Sequence, residues 1–181
     1  MYIHLQKLIG FLAHPRTGSR TLRDMCILAG FKPRYGHHSG PEKDPGNIPD
    51  GMIYFCMVRN HWDAIVSWWF YKNQHLKEDL ISAEWVQQLV GTDPKYFKLP
   101  NLWWFTQEVP DALVLRHETY DKDIIALFEW CGLDLHPTAS VVDLKYKRDR
   151  GFRRYYTPEA KELVANLFAV EINRLGYSWN D

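Results

Sequence analysis

The chain has 181 residues, 46% of them apolar and 24% charged, which excludes a disordered or fibrous chain. Its 22 basic and 22 acidic residues cancel, which excludes a protein that coats nucleic acid through excess positive charge; no nucleic-acid partner is expected. No apolar run approaches the roughly 18–20 residues that cross a bilayer, and Pro15-Arg16 cuts the apolar start too short for a secretory signal, so no membrane partner is expected. In chain order, residues 8–13 (LIGFLA) read as a buried first strand, followed by a turn over 14–19 that contains Gly18. A helix is expected over 20–28, with Ser19 at its N-cap and Gly30 as its stop. Residues 31–35 read as a short second strand, and the Gly- and Pro-rich stretch 36–51 as loop. Residues 52–58 (MIYFCMV) are the strongest strand, apolar enough to be buried on both faces. A helix from Trp62 towards Asn73 follows, then one over 83–90 outside the sheet, a strand over 112–115 and a helix over 123–131. Residues 145–154 are basic. The last helix opens at Thr157-Pro158-Glu159, with proline at its first position, and ends before Gly176. Strands alternating with helices predict an α/β protein: a single domain over 1–181 with a mostly parallel sheet flanked by helices.

Cys26, Cys56 and Cys131 are few, odd in number and without a CxxC pair, so reduced thiols and a cytoplasmic setting are expected. Aromatic residues make up 15%, with eight Trp. They serve either a core of large side chains or a pocket for a flat or sugar-like ligand.

Two stretches carry anion chemistry. The first is His14-Pro15-Arg16-Thr17-Gly18-Ser19-Arg20-Thr21, between a strand and a helix. The N–H groups at a helix start carry partial positive charge, Gly18 allows close approach, Ser19 and Thr21 add hydroxyls, and Arg16 and Arg20 add full charges. It is not the G-x-x-x-x-G-K-[ST] loop of nucleotide triphosphatases. The second is Arg59, expected at the carboxyl end of the best strand, where open α/β sheets bind ligands, with Ser67 on the next helix. Arginine offers phosphate a two-pronged fork and serine a neutral donor.

With these motifs the chain resembles the sulfotransferases that use 3′-phosphoadenosine 5′-phosphosulfate (PAPS). Pro15-Arg16-Thr17-Gly18-Ser19-Arg20 is similar to that family's P-K-[ST]-G-[ST]-[ST] loop, which binds the 5′-phosphosulfate. Residues 52–58 with Arg59-Asn60, Asp63 and Ser67 resemble its strand and R-N-x-x-D-x-x-x-S segment, which holds the 3′-phosphate. Leu115-Arg116-His117-Glu118-Thr119-Tyr120 resembles L-R-Y-E-D-L, and Tyr155-Tyr156-Thr157-Pro158-Glu159 through Gly176-Tyr177 resembles its closing segment. The resemblance implies a P-loop-like sulfotransferase fold with PAPS as co-substrate and no metal. Three departures stand out. The loop lysine is Arg16, the adenine-stacking aromatic of the cytosolic branch is Thr21, and the closing R-K-G loop is replaced by Lys145, Lys147, Arg148 and Arg150-Gly151. Arg148 and Arg150 are the phosphate-binding candidates there.

The resemblance also implies a histidine base in a loop ahead of the second-motif arginine. His37 and His38 stand in that place, and the sequence leaves the choice between them open. Arg16 would stabilise charge on the departing phosphate. The expected reaction is sulfuryl transfer to a hydroxyl, with a small phenol or alcohol slightly ahead of a carbohydrate as acceptor. Two other classes stay open. A kinase-like phosphotransferase would need a G-K-[ST] loop and acidic Mg²⁺ ligands, and neither is found. The other is a non-catalytic nucleotide or glycan binder of the same fold. Oligomeric state is not readable.

Overall fold

The computed structural model of the chain describes residues 1–14, 16–34, 49–72, 80–92, 111–134 and 151–181. In chain order the elements are β1 (Tyr2–His4), β2 (Ile9–Leu12), α1 (Ser19–Leu28), β3 (Lys32–Pro33), β4 (Ile53–Val58), α2 (His61–Lys72), α3 (Ala83–Thr92), β5 (Leu113–Arg116), α4 (Tyr120–Cys131), α5 (Pro158–Leu167) and α6 (Ala169–Leu175). The class is α/β. Two compact units share the chain: residues 1–58 with 104–144, and residues 59–103 with 145–181.

The first unit holds the sheet, in the order β3-β1-β2-β4-β5. β2, β4 and β5 run parallel, with Leu12 beside Cys56 and Val58 beside Arg116. β1 is antiparallel to both β2 and β3. The sheet is therefore mixed, where a mostly parallel one was expected. The cause lies before the expected first strand. Residues 2–4 double back through the 3-10 turn Leu5–Lys7, and Leu8 closes the reversal at φ 49°. The strand expected at 8–13 is thus the second, and the expected strand at 31–35 shortens to Lys32–Pro33 on the sheet edge.

Alternate residues of the strands build this unit's core, as the two-residue period of a strand requires. Ile9, Phe11 and Ala13, then Phe55 and Met57, pack with Leu22, Met25 and Cys26 of α1 and Ile124 and Phe128 of α4. Phe11 stacks on Phe55 at 5.1 Å, and Phe31 meets Phe55 edge-on at 6.1 Å. Burial of each such ring contributes about 1.5–3 kcal/mol. Gly10 lies across from Tyr54 in the ladder, and a Cβ there would fall 2.7 Å from the tyrosine ring. The glycine is what lets that ring lie against β2. In β4, Tyr54 to Val58 are buried as expected, but Ile53 is exposed.

In the second unit α2 buries Trp62, Ile65, Val66, Trp68 and Trp69. α3 packs on α5; α3 buries Val86 and Leu89, and α5 buries Ala160 and Val164. Ile81 bridges to Tyr156, with its N–H on the carbonyl of Tyr155 and its own carbonyl accepting from Thr157. Thr157 caps α5, its Oγ1 accepting from the N–H of Ala160 at 3.2 Å, with Pro158 at the first helical position. The final helix was expected to run unbroken to Gly176. It breaks at Phe168, which leaves helical geometry at φ −114°, ψ 22° and sets its ring 5.2 Å from that of His61. No helix among the described residues is long and apolar enough to cross a membrane.

Candidate functional site

Because β2, β4 and β5 run parallel, their carboxyl ends share one edge of the sheet. From that edge the chain leaves β2 towards Arg16, Thr17 and Gly18, and β5 into the turn His117–Thr119.

The loop after β2 has an unusual backbone. Arg16 sits at φ 63° and Gly18 at φ 78°, both left-handed. Gly18 adopts this freely; for an arginine it costs about 1–3 kcal/mol, and such strain concentrates at functional sites. Thr17 between them is almost fully buried, and its Oγ1 donates to the carbonyl of His14 at 2.9 Å. Left-handed residues in a tight loop turn neighbouring N–H groups to one side and form anion-binding hollows. α1 starts directly from this loop. Its N-cap is Gly18, not Ser19; Ser19 is the first helical residue and is buried. The helical ladder begins with Leu22 N–H on the carbonyl of Gly18 at 3.2 Å, so the N–H groups of residues 19–21 lie ahead of it. The first turn of α1 holds no acidic residue, whereas α2 to α6 each carry at least one. The positive end of α1 thus keeps its field, with Arg16 and the exposed Arg20 adding to it.

Sequence reasoning missed two neighbours of this loop. A Cβ on Gly18 would come 3.1 Å from the Tyr120 ring and 3.3 Å from the His117 ring, so both pack against the loop glycine. The two rings meet edge-on at 6.1 Å. Tyr120 donates to Sδ of Met25 at 3.7 Å, and burial pushes its hydroxyl well above the ordinary tyrosine range, so it stays protonated. Asp123 fixes the turn that carries His117: its Oδ2 accepts from Arg116 N–H and from Thr119 Oγ1, each at 2.8 Å. The segment was legible as a motif, but its place beside Gly18 follows only from the strand order.

In the second unit Arg59 donates from Nε to Oδ2 of Asp63 at 2.6 Å, a partly buried pair with side chains 9% and 18% exposed. Asp63 and Ser67 are four residues apart on α2 and so share a face. The carboxylate that holds the Arg59 guanidinium thus lies on the helix face that carries Ser67. Asn60, between Arg59 and α2, is 1% exposed. Its Oδ1 accepts from the N–H groups of Trp62 and Asp63 at 3.1 and 3.5 Å, and its Nδ2 donates to the carbonyl of Ser178 at 2.9 Å.

Of the expected site residues, Arg16, Thr17, Gly18, Ser19, Arg20 and Thr21 come together as one loop and helix start in the first unit. Arg59 and Ser67 belong to the second. His37, His38, Arg148 and Arg150 lie outside the described residues, as do Lys145 and Lys147. His4 is structural: its Nδ1 accepts from Lys7 N–H and its ring meets Phe31 edge-on. His61 begins α2, one residue ahead of the expected start, and its ring lies against those of Phe168 and Tyr177. Among the tryptophans, Trp62, Trp68 and Trp69 are core, while Trp130 is exposed. Among the described residues no three of His, Cys, Asp and Glu converge into a metal-binding group. Comparison with family models, curated proteins and solved structures returned no match.

Proposed function

We propose that the protein is an enzyme that transfers a sulfuryl group from PAPS to an acceptor hydroxyl. The observation that carries this reading is the β2–α1 loop. Left-handed Arg16 and Gly18 lead into a helix start without acid in its first turn, a donor set suited to a phosphosulfate. The Arg59–Asp63 pair and Ser67 supply a second set of anion-binding groups, assigned here to the 3′-phosphate. The co-substrate brings the activated sulfuryl group. The chain's task is to remove the acceptor proton, assigned to the imidazole of His37 or His38, and to neutralise the bridging oxygen as its bond to sulfur breaks. Arg16 and the loop N–H groups serve the latter. Thr21 gives no ring for the base to stack on, and a small phenol or alcohol remains the favoured acceptor. The same proposal places the reaction in the cytoplasm, in keeping with three free thiols.

The test is a screen of phenols, alcohols and saccharides with PAPS, following release of adenosine 3′,5′-bisphosphate. Acceptor-dependent release is expected. It should fall by roughly 10²–10⁴-fold in His37→Ala or His38→Ala, with bisphosphate affinity unchanged, since a base acts on the acceptor. A chain that neither binds the bisphosphate nor releases it with any acceptor is not this enzyme.

A further inference from the structure

We infer that Asn60 and the Ser178–Trp179 segment form a latch that positions Arg59. The inference rests on the reading of Arg59 as a phosphate-holding residue and adds a positioning residue, with its anchor, to that site.

Asn60 makes more bonds than a helix cap needs. Capping requires only a side-chain oxygen, which serine, threonine or aspartate supplies as well. Here that oxygen serves Trp62 and Asp63, and the amide nitrogen grips the carbonyl of Ser178 at 2.9 Å, in a site 1% exposed. Only an amide side chain offers both a donor and an acceptor in this shape. The carbonyl it grips is itself held. Trp179 stands edge-on to Trp62, Phe152 and Tyr156, at 5.6, 5.3 and 5.5 Å. The Lys161 ammonium lies over its ring at 5.0 Å, and Arg153 Nε donates to its carbonyl at 2.7 Å. Tyr156 closes the loop, donating its hydroxyl to the carbonyl of Trp62 at 2.8 Å.

The consequence for Arg59 is geometric. Its guanidinium is held by Asp63, and the direction of the Asp63 carboxylate is set by the first turn of α2, which Asn60 fixes. A loosened tail frees the Asn60 amide, lets that turn shift and misaims the Arg59 fork. The charges themselves are unchanged. A bidentate contact to phosphate is sensitive to such tilting, because both N–H vectors must meet oxygens together. Trp179 is only half-buried, so its ring contacts do more to hold Ser178 in place than to fill the core.

The experiment is calorimetry with two probes, adenosine 3′,5′-bisphosphate and adenosine 5′-monophosphate, which differ only in the 3′-phosphate. Asn60→Ser keeps a neutral capping oxygen but cannot reach Ser178. Expected is a bisphosphate Kd raised about five- to tenfold by Asn60→Ser and by Trp179→Ala, with monophosphate affinity unmoved. Trp179→Phe should recover part of the loss, and it serves in place of Trp179→Ala if that variant does not fold. In an Arg59→Ala background, Asn60→Ser should have no further effect, which general loss of stability would not produce. If Arg59→Ala removes the preference for the bisphosphate while Asn60→Ser and the Trp179 variants retain it in full, the latch is wrong and the role of Arg59 stands. If the unaltered protein shows no such preference, the role of Arg59 falls and the latch with it.

Discussion

At Arg16 the backbone holds a residue with a Cβ and a charged side chain at φ 63°, two residues before Gly18 at φ 78°. The two positions carry opposite expectations. An alanine at Gly18 would be strained and would bring its Cβ to 3.1 Å from Tyr120, so Gly18→Ala should lower stability by about 1–3 kcal/mol. Arg16→Gly relieves the left-handed strain and loosens the unfolded chain, so urea unfolding should place it within about 1 kcal/mol of the unaltered protein. Its bisphosphate affinity should nonetheless fall by about 1.5–3 kcal/mol, the range for a hydrogen bond to a charged group. A stable Arg16→Gly protein with undiminished affinity would take Arg16 out of the anion site. Arg59→Ala should show a loss of the same size. These residues were legible because charge, glycine and spacing are written in the chain. His117 and Tyr120 were not, since nothing local marks a ring that will pack on a glycine two strands away in the sheet.

Among the elements, α5 has the clearest start. Thr157 caps it through Ala160 N–H, and Pro158 has its fixed φ at the position where a missing N–H is harmless. Thr157→Ala should therefore cost about 1 kcal/mol, read as a lower midpoint in urea at unchanged slope, and Thr157→Ser should restore most of it. An unchanged midpoint would mean that water caps the helix equally well. The start of this helix was readable from those signals, and β4 from its apolar run. Reading failed where the deciding feature was not local. β1 is three residues long, and its turn uses Leu8 at φ 49° without a glycine or asparagine to announce it. The antiparallel edge of the sheet followed from that turn. The break at Phe168 likewise has no Pro or Gly. The ring contact of Phe168 with His61 sits at the break, and helical periodicity carries no trace of such a contact.

For the molecule as a whole, neutrality is an average that hides local sign. The 22 basic and 22 acidic residues cancel, yet the first turn of α1 has no acid while Arg16 and Arg20 flank it, and Asp63 is committed to orienting Arg59. Affinity for a doubly phosphorylated nucleoside should then come from a few placed groups, not from net charge. It should appear as stability, because a ligand of the folded chain stabilises it by mass action. At a bisphosphate concentration of 100 times Kd the gain is about 2.7 kcal/mol. For a chain of this size that raises Tm by roughly 5–10 °C, at about 2–4 °C per kcal/mol. ATP has three phosphates on the 5′ side and none on the 3′ oxygen, so it should engage the β2–α1 loop without the Arg59 group and raise Tm less, although the two nucleotides carry about the same charge. That ordering is the discriminating measurement. A protein that merely collects anions would rank ATP and the bisphosphate alike, and its shift would vanish with added salt as exposed charges are screened. A larger shift from the bisphosphate, retained in part at high salt because the Arg59–Asp63 pair is mostly buried, is the outcome expected here. A scanning fluorimetry series with ATP, adenosine 5′-monophosphate and the bisphosphate, at low and high salt, decides between the two.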